Sequence, residues 1–195
     1  MGADFRDGAK IAARDQLLTG RSQRSLREIG EAGRAIAEHL LTTPELRHAA
    51  TVAAYVAQGH EPGTAALIDG VRAEGRHVIV PVLLPDNDLD WARYTGADDL
   101  VPARLGLLEP SSPRLGVDAV ATADVVLVPA LAVDRSGMRL GRGGGCYDRA
   151  LGRVPVGTFV CALLYDDEVL AAVPSAPHDR PVTAVATPSG VHRFR

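Results

Sequence analysis

Val128 to Leu151 reads VPALAVDRSGMRLGRGGGCYDRAL, and this stretch decides the fold as well as the chemistry. An apolar run, a tight turn, an arginine, a glycine-rich loop and a helical segment follow one another, the strand–loop–helix order of an α/β protein. The glycines at 141, 143, 144 and 145 carry no Cβ, so they reach φ/ψ values that turn successive backbone N–H groups toward one point. Arg139 and Arg142 add bidentate forks for phosphate oxygens, and a helix opening near Cys146 or Tyr147 adds its partial positive charge. The plainer alternative is a flexible surface turn, but such a turn needs neither flanking arginines nor a helix start.

Two familiar glycine loops are excluded. No Gly-Lys-Ser or Gly-Lys-Thr follows the glycines, so this is not a Walker A loop. The frame from Gly141 reads Gly-Arg-Gly-Gly-Gly-Cys, whose sixth place is not the glycine of a dinucleotide fingerprint.

Outward from the loop, apolar residues recur at helical spacing over about Phe5–Leu18 and Gln23–Leu41, predicting two amphipathic helices. Thr43-Pro44-Glu45 reads as a capped helix start. Strands are predicted at Thr51–Ala57, at His77–Val80 (closed by Pro81), at Trp91–Tyr94, Asp124–Ala130, Thr158–Leu164 and Val182–Thr187. Helices are predicted at Thr64–Ala73, from Tyr147 to about Gly152, and near Asp167–Ala171. Gly96 to Ala121, with prolines at 102, 110 and 113, reads as a long connection that shapes a pocket. Strands alternating with helices predict a mainly parallel sheet covered on both faces, with ligands beyond the carboxyl ends of the strands. Glu61 and the glycine loop would then emerge at the same edge.

A chain of 195 residues fits one domain, residues 1–195, with a hydrophobic content of 46% to build its core. Aromatics at 4% leave few rings for stacking bases, and a formal charge of -3 without basic runs gives no polyanion or membrane footprint. Neither nucleic acid nor membrane is therefore an expected partner. No apolar run reaches the roughly 18 to 20 residues of a bilayer span, no N-terminal signal is evident, and two cysteines build no disulfide framework. The cytoplasm is the expected compartment. Lys10 is the only lysine among 21 basic residues, and it lies four residues before Arg14, on the same face of a helix. Read alone, that pair is a solvated helix surface.

The glycine stretch resembles the signature of the 5-formyltetrahydrofolate cyclo-ligase (5,10-methenyltetrahydrofolate synthetase) family, a VPGLAFD-type strand followed by RLGxGxGYYD. The resemblance extends to Lys10 and Arg14, Glu-x-x-Thr at Glu61–Thr64, Leu-Gly-x-x-Glu-Pro at Leu105–Pro110, and His178-Asp179. It implies a three-layer α/β fold similar to the glucosamine-phosphate isomerase and ribose-phosphate isomerase group. It also implies conversion of 5-formyltetrahydrofolate to 5,10-methenyltetrahydrofolate with ATP and Mg2+, by a chain expected to be monomeric. Carried over by position, Lys10, Arg14 and Arg139, Leu140, Gly141, Arg142, Gly143, Gly144, Gly145, Cys146 and Tyr147 resemble the ATP site. Val56, Glu61 and the run from Arg142 to Cys146 resemble the folate site, and Asp148 and Asp179 the magnesium carboxylates. Arg142 is the candidate for stabilising the transferring phosphoryl group.

Several positions carry a second reading. Glu61 could be a helix-start acid before Pro62, Asp148 and Asp179 helix-terminus or turn residues, and Trp91 either a pterin neighbour or a residue packing a strand. Cys146 at a helix start raises a covalent alternative through a lowered thiol pKa, although no histidine adjoins it. Three departures from the family stand out: Cys146 replaces the first of two tyrosines, Gly144 a lysine found in some members, and Thr183 the second acid of HDxxxD. Two rival functions share these features: a sugar-phosphate isomerase or deaminase, and a catalytically silent nucleotide-binding module.

Overall fold

The computed structural model describes residues 2–177 and 179–194, with residues 2–7 as backbone, so His178 lies outside the described residues. In chain order the elements are α1 (Gly2–Ser22), α2 (Leu26–Leu41), α3 (Pro44–His48), β1 (Thr51–Ala53), α4 (Ala65–Ala73), β2 (His77–Leu83) and β3 (Leu89–Arg93). Then come β4 (Leu100–Pro102), β5 (Leu108–Pro110), β6 (Val125–Pro129), β7 (Ala132–Asp134), β8 (Arg139–Leu140) and α5 (Cys146–Leu151). The chain closes with β9 (Phe159–Leu163), β10 (Val169–Leu170), β11 (Ala184–Thr187) and β12 (Gly190–Arg193).

A seven-stranded sheet runs in the order β12-β11-β9-β6-β1-β2-β3. The five inner strands are parallel, and β12 and β3 are antiparallel edges. Alternation along each strand builds two cores. Val125 and Leu127 face Ile36 and Leu40 of α2 and Leu67 and Val71 of α4. Val126 and Val128 face Trp91, Val120 and Leu151 on the other side. The result is a layered α/β domain, as the strand–helix alternation predicts. Among the described residues no helix is long and apolar enough to cross a membrane.

Helix starts follow their caps. Ser25 accepts the Glu28 amide at 3.3 Å while Glu28 accepts the Ser25 amide at 2.7 Å, which begins α2 at Leu26 rather than near Gln23. Thr43 caps α3 with Pro44 in the first turn, as expected.

Other predicted boundaries shift. The Thr51–Ala57 strand ends at Ala53, and Ala54 makes the last bond to β2, donating to Ile79 O at 2.9 Å. Strand β2 runs through Pro81, where the sequence predicts a stop. Val78 O accepts from Tyr94, the residue after β3, and Ile79 O from the β1 side, so alternation directs the Pro81 nitrogen to the side where β1 has already ended, and no ladder bond is lost. In place of a helix at Asp167–Ala171 there is a 3-10 turn, Asp166–Glu168, followed by β10. Glu168 is drawn inward to Arg21, which stops the turn from continuing. The 96–121 connection holds the hairpin β4–β5, and β7, β8 and β10 form a separate small sheet beneath α1.

Candidate functional site

Strands β1 and β6 are parallel neighbours, so the segments that leave their carboxyl ends emerge together, at the edge the sequence reading expects. A cavity of about 430 Å³ opens there. Val56 and Glu61 reach it from beyond β1, Arg139 to Asp148 from beyond β6, Lys10 and Arg14 from α1, and Asp179 from the segment before β11. Apart from Trp91, every residue singled out above for ATP, folate or metal therefore lines one cavity.

The glycine loop meets the cavity with strained backbone where only glycine is at ease: φ is +104° at Gly143 and +68° at Gly145, the residue before α5. Among the described residues, no backbone or side-chain acceptor takes the amides of Gly143, Gly144 or Gly145. A Cβ on Gly143 would lie 3.2 Å from the Arg14 guanidinium carbon, and one on Gly141 would lie 2.7 Å from Arg139 Nη1. The glycines thus admit the arginines as well as the turn. Arg14 Nε donates to Gly141 O at 2.9 Å, tying α1 to the loop.

Three ion pairs span the cavity walls. Lys10 Nζ lies 2.6 Å from Asp179 Oδ2 with both side chains buried, Arg139 Nη2 lies 3.0 Å from Asp148 Oδ1, and Arg142 Nη2 lies 3.3 Å from Glu61 Oε1. Lys10 is therefore not a solvated helix residue. Arg139 also donates to Pro129 O at 3.3 Å and is 5% exposed, which makes it a strut beneath the loop as much as a fork toward it. Arg142 is freer, with its side chain 55% exposed. Leu140 is buried, and the Leu131 amide donates to its carbonyl at 2.8 Å.

Glu61 is not a helix-start acid. Helix α4 starts at Ala65, and the Glu61 carboxylate instead accepts the Gln58 amide at 3.0 Å and faces the cavity. Buried Thr64 fixes this turn, donating to Tyr55 O at 2.7 Å and accepting the Ala57 amide at 2.9 Å. Asp148 Oδ1 also accepts the Arg180 amide at 3.1 Å, and Asp179 Oδ2 the Ala176 amide at 2.6 Å. Both aspartates accept turn amides and also line the cavity. Among the described residues no group of three or more His, Cys, Asp or Glu forms a metal cage. Two carboxylates on one wall fit magnesium, which takes few protein oxygens and leaves its other positions to phosphate and water.

Two alternatives that the sequence left open are decided. Trp91 is fully buried in the second core and does not line the cavity, so it packs a strand and is no pterin neighbour. Cys146 opens α5, yet burial pushes its thiol pKa up, against a nucleophilic thiolate. Burial also holds the Tyr147 phenol far above its ordinary range. At the third departure, Thr183 Oγ1 accepts the Val160 amide at 2.9 Å and donates to Val160 O at 3.1 Å, a strand-pairing role away from the cavity.

Sequence reasoning missed the apolar wall of Leu105, Leu107 and Leu108 as individual cavity residues, and also Asp134, which organises the turn before the loop. Asp134 Oδ1 accepts the Ser136 and Met138 amides and the Ser136 hydroxyl, and Oδ2 the Val173 amide. Its Asp-x-Ser-Gly spacing was the available signal.

The family model for the 5-formyltetrahydrofolate cyclo-ligase family matches residues 6–188. The chain belongs to this family. It is 47% identical over 143 residues to 5-formyltetrahydrofolate cyclo-ligase of Mycolicibacterium smegmatis, covering 71% of this chain and 73% of that one. With the Escherichia coli K12 protein of the same name it shares 34% identity over 169 residues, 83% of this chain and 90% of the relative. The solved structure of Aquifex aeolicus 5,10-methenyltetrahydrofolate synthetase superposes with a TM-score of 0.82 at 27% identity, covering 95% of this chain and 93% of that one. Membership in this family sets aside the isomerase or deaminase alternative.

Proposed function

We propose that this chain converts 5-formyltetrahydrofolate to 5,10-methenyltetrahydrofolate at the expense of ATP. One observation carries the reading: a glycine loop whose amides at 143 to 145 have no acceptor among the described residues lines the same cavity as Glu61, and Arg142 bridges the two at 3.3 Å. A formamide oxygen does not leave as hydroxide. It attacks the γ-phosphorus instead, ADP departs, and the phosphorylated imidate at nitrogen 5 is attacked by nitrogen 10. That attack closes the ring, and loss of the nitrogen 10 proton and of phosphate then leaves the methenyl bridge.

Such chemistry needs positioning and charge neutralisation more than a protein nucleophile. In this reading Lys10, Arg14 and the loop amides hold the triphosphate, and Arg142 moves from Glu61 onto the transferring group. Glu61, so released, accepts the pterin N–H donors. Asp148 and Asp179 would hold Mg2+, which when bound neutralises phosphate charge. We further infer a monomeric, cytoplasmic enzyme with small-molecule partners only, reduced folate and ATP, and neither nucleic acid nor membrane. The kinship of its sheet with the glucosamine-phosphate and ribose-phosphate isomerase group belongs to the same proposal.

The test is to mix the protein with 5-formyltetrahydrofolate, ATP and magnesium and follow the near-ultraviolet absorbance of the methenyl product. Product that depends on both ATP and magnesium supports the reading. Nucleotide binding without product would instead mean a silent module, with the tyrosine-to-cysteine change at 146 the first suspect.

A further inference from the structure

Helix α1 supplies two cations to the cavity, yet over its described side chains, Gly8 to Ser22, it is held by very little apolar packing. From Gly8 to Ser22 only Lys10 and Arg21 are buried, Ala13, Arg14 and Leu17 are half-buried, and the rest are exposed. Lys10, Arg14, Leu17 and Arg21 follow one another at i, i+4, i+7 and i+11, one narrow stripe of the helix. Its apolar share is Ala13 and Leu17, packed against Ala132, Leu140 and Val173. Two half-buried side chains stabilise a helix by about 1 kcal/mol each, too little to fix its rotation over a polar cavity. Polar ties must do that.

The ties are of two kinds. Lys10 to Asp179 and Arg14 to Gly141 O lie on the cavity wall, where a bound ligand competes for them. The third lies outside that wall. Arg21 places Nε 2.6 Å from Glu168 Oε1 and Nη2 2.8 Å from Glu168 Oε2, a bidentate fork with both side chains about 2–3% exposed. Nη2 also donates to Ala130 O at 2.6 Å, immediately beyond β6. Glu168 in turn accepts the Tyr165 amide at 3.0 Å, so the fork is anchored to the segment beyond β9 as well.

We propose that Arg21 is a positioning residue for the nucleotide site: its fork on Glu168 and Ala130 O sets the rotation and depth of α1, and thereby aims Lys10 and Arg14. At a rise of about 1.5 Å per residue, Arg14 lies about 10 Å and Lys10 about 16 Å along the axis from this anchor. A planar fork fixes both distance and plane, which a lysine at the same place does not. When ligand claims the two cavity ties, Arg21 is, of the three described, the one that persists. The inference rests on the proposed function, in which Lys10 and Arg14 meet ATP.

The test uses two variants of the full chain. Arg21→Lys keeps the charge and loses the fork. The double variant Arg21→Met with Glu168→Gln removes both buried charges, a replacement buried pairs often tolerate, and leaves an acceptor for the Tyr165 amide. Kd for ATP by titration, KM for each substrate, kcat and Tm are measured on both and on the native chain. We expect Kd and KM for ATP to rise about tenfold with KM for 5-formyltetrahydrofolate little changed. If the double variant does not fold, Arg21→Lys decides by the same split. Native ATP constants in a folded variant overturn the inference, as does a loss spread evenly over both substrates with falling Tm. A native chain that binds ATP without turning over the folate overturns the proposed substrate alone, since the ATP titration still tests Arg21. Failure of the native chain to bind ATP overturns both.

Discussion

Replacing Arg142 with alanine should separate catalysis from stability. The Arg142 side chain is 55% exposed and meets Glu61, 9% exposed, at 3.3 Å. A pair with one partner in water contributes about 0–1 kcal/mol, because desolvation, side-chain entropy and screening offset most of the attraction. Glu61 also keeps its bond to the Gln58 amide, so the carboxylate is not stranded. For a domain of this size 1 kcal/mol corresponds to about 2–4 °C in Tm, which bounds the expected shift. Turnover should fall far more, about 10²–10³-fold, because a donor aimed at charge that develops in the transition state typically contributes about 3–4 kcal/mol. The loss should appear in kcat, with KM for the folate unchanged or lower, since Glu61 no longer has a competing partner. Arg142→Lys, which keeps charge but not the fork, should fall between. The assay is methenyl absorbance at saturating ATP beside thermal unfolding of the same samples. Activity and Tm falling together, or turnover surviving the alanine, would refute the reasoning.

Three further outcomes are expected. Thr64→Val strips a buried donor from Tyr55 O and an acceptor from the Ala57 amide. It should cost about 2–3 kcal/mol in denaturant unfolding and raise KM for the folate, because the turn that carries Glu61 loosens. Cys146→Ser should leave kcat within about threefold of native, and alkylation of Cys146 at neutral pH should be slow, since burial pushes the thiol pKa up and a thiolate is scarce. Asp134 is held below its ordinary 3.8: burial would raise it, and the bonds from Ser136, Val173 and Met138 together lower it further. A depressed folded pKa stabilises above the unfolded value and is lost as pH falls through the folded one. Native stability should therefore decline below about pH 3.8 more steeply than that of Asp134→Asn, which is less stable at neutral pH; parallel curves would count against the carboxylate's role.

The site was legible where its chemistry is local in sequence. Glycines 141 to 145, two arginines and a helix start lie within a few residues, and the φ values at Gly143 and Gly145 are those the residue type implies. The sheet was legible because alternating Val125 to Val128 can serve two cores only between two helical layers. What stayed hidden depends on partners far along the chain. Pro81 looked like a strand end, because nothing nearby tells that β1 stops at Ala53 and leaves its nitrogen without a carbonyl to face. Glu168 looked helical, because its reason for turning inward is Arg21, 147 residues away.

The same distance effect explains the pairing of charges at the site. Arg139 and Arg142 read as bare cations awaiting phosphate and Lys10, read alone, as a solvated one, whereas folding gives each a carboxylate from elsewhere in the chain. Unpaired, buried Lys10 and Arg139 would carry a desolvation cost of several kcal/mol each. Paired, each has that cost offset by its carboxylate. On the proposed function the arrival of a triphosphate would then be an exchange of partners, in which phosphate would take the cations and Asp148 and Asp179 would be free to hold Mg2+, which supplies charge neutralisation. On that proposal the Arg142–Glu61 pair would join the two substrates, because releasing one for phosphate would free the other for the pterin. Binding of a non-hydrolysable ATP analogue with magnesium should therefore tighten 5-formyltetrahydrofolate about fivefold, the lower end of coupling between sites that share a contact. In Arg142→Ala the link is gone, so folate affinity should be the same with and without the analogue.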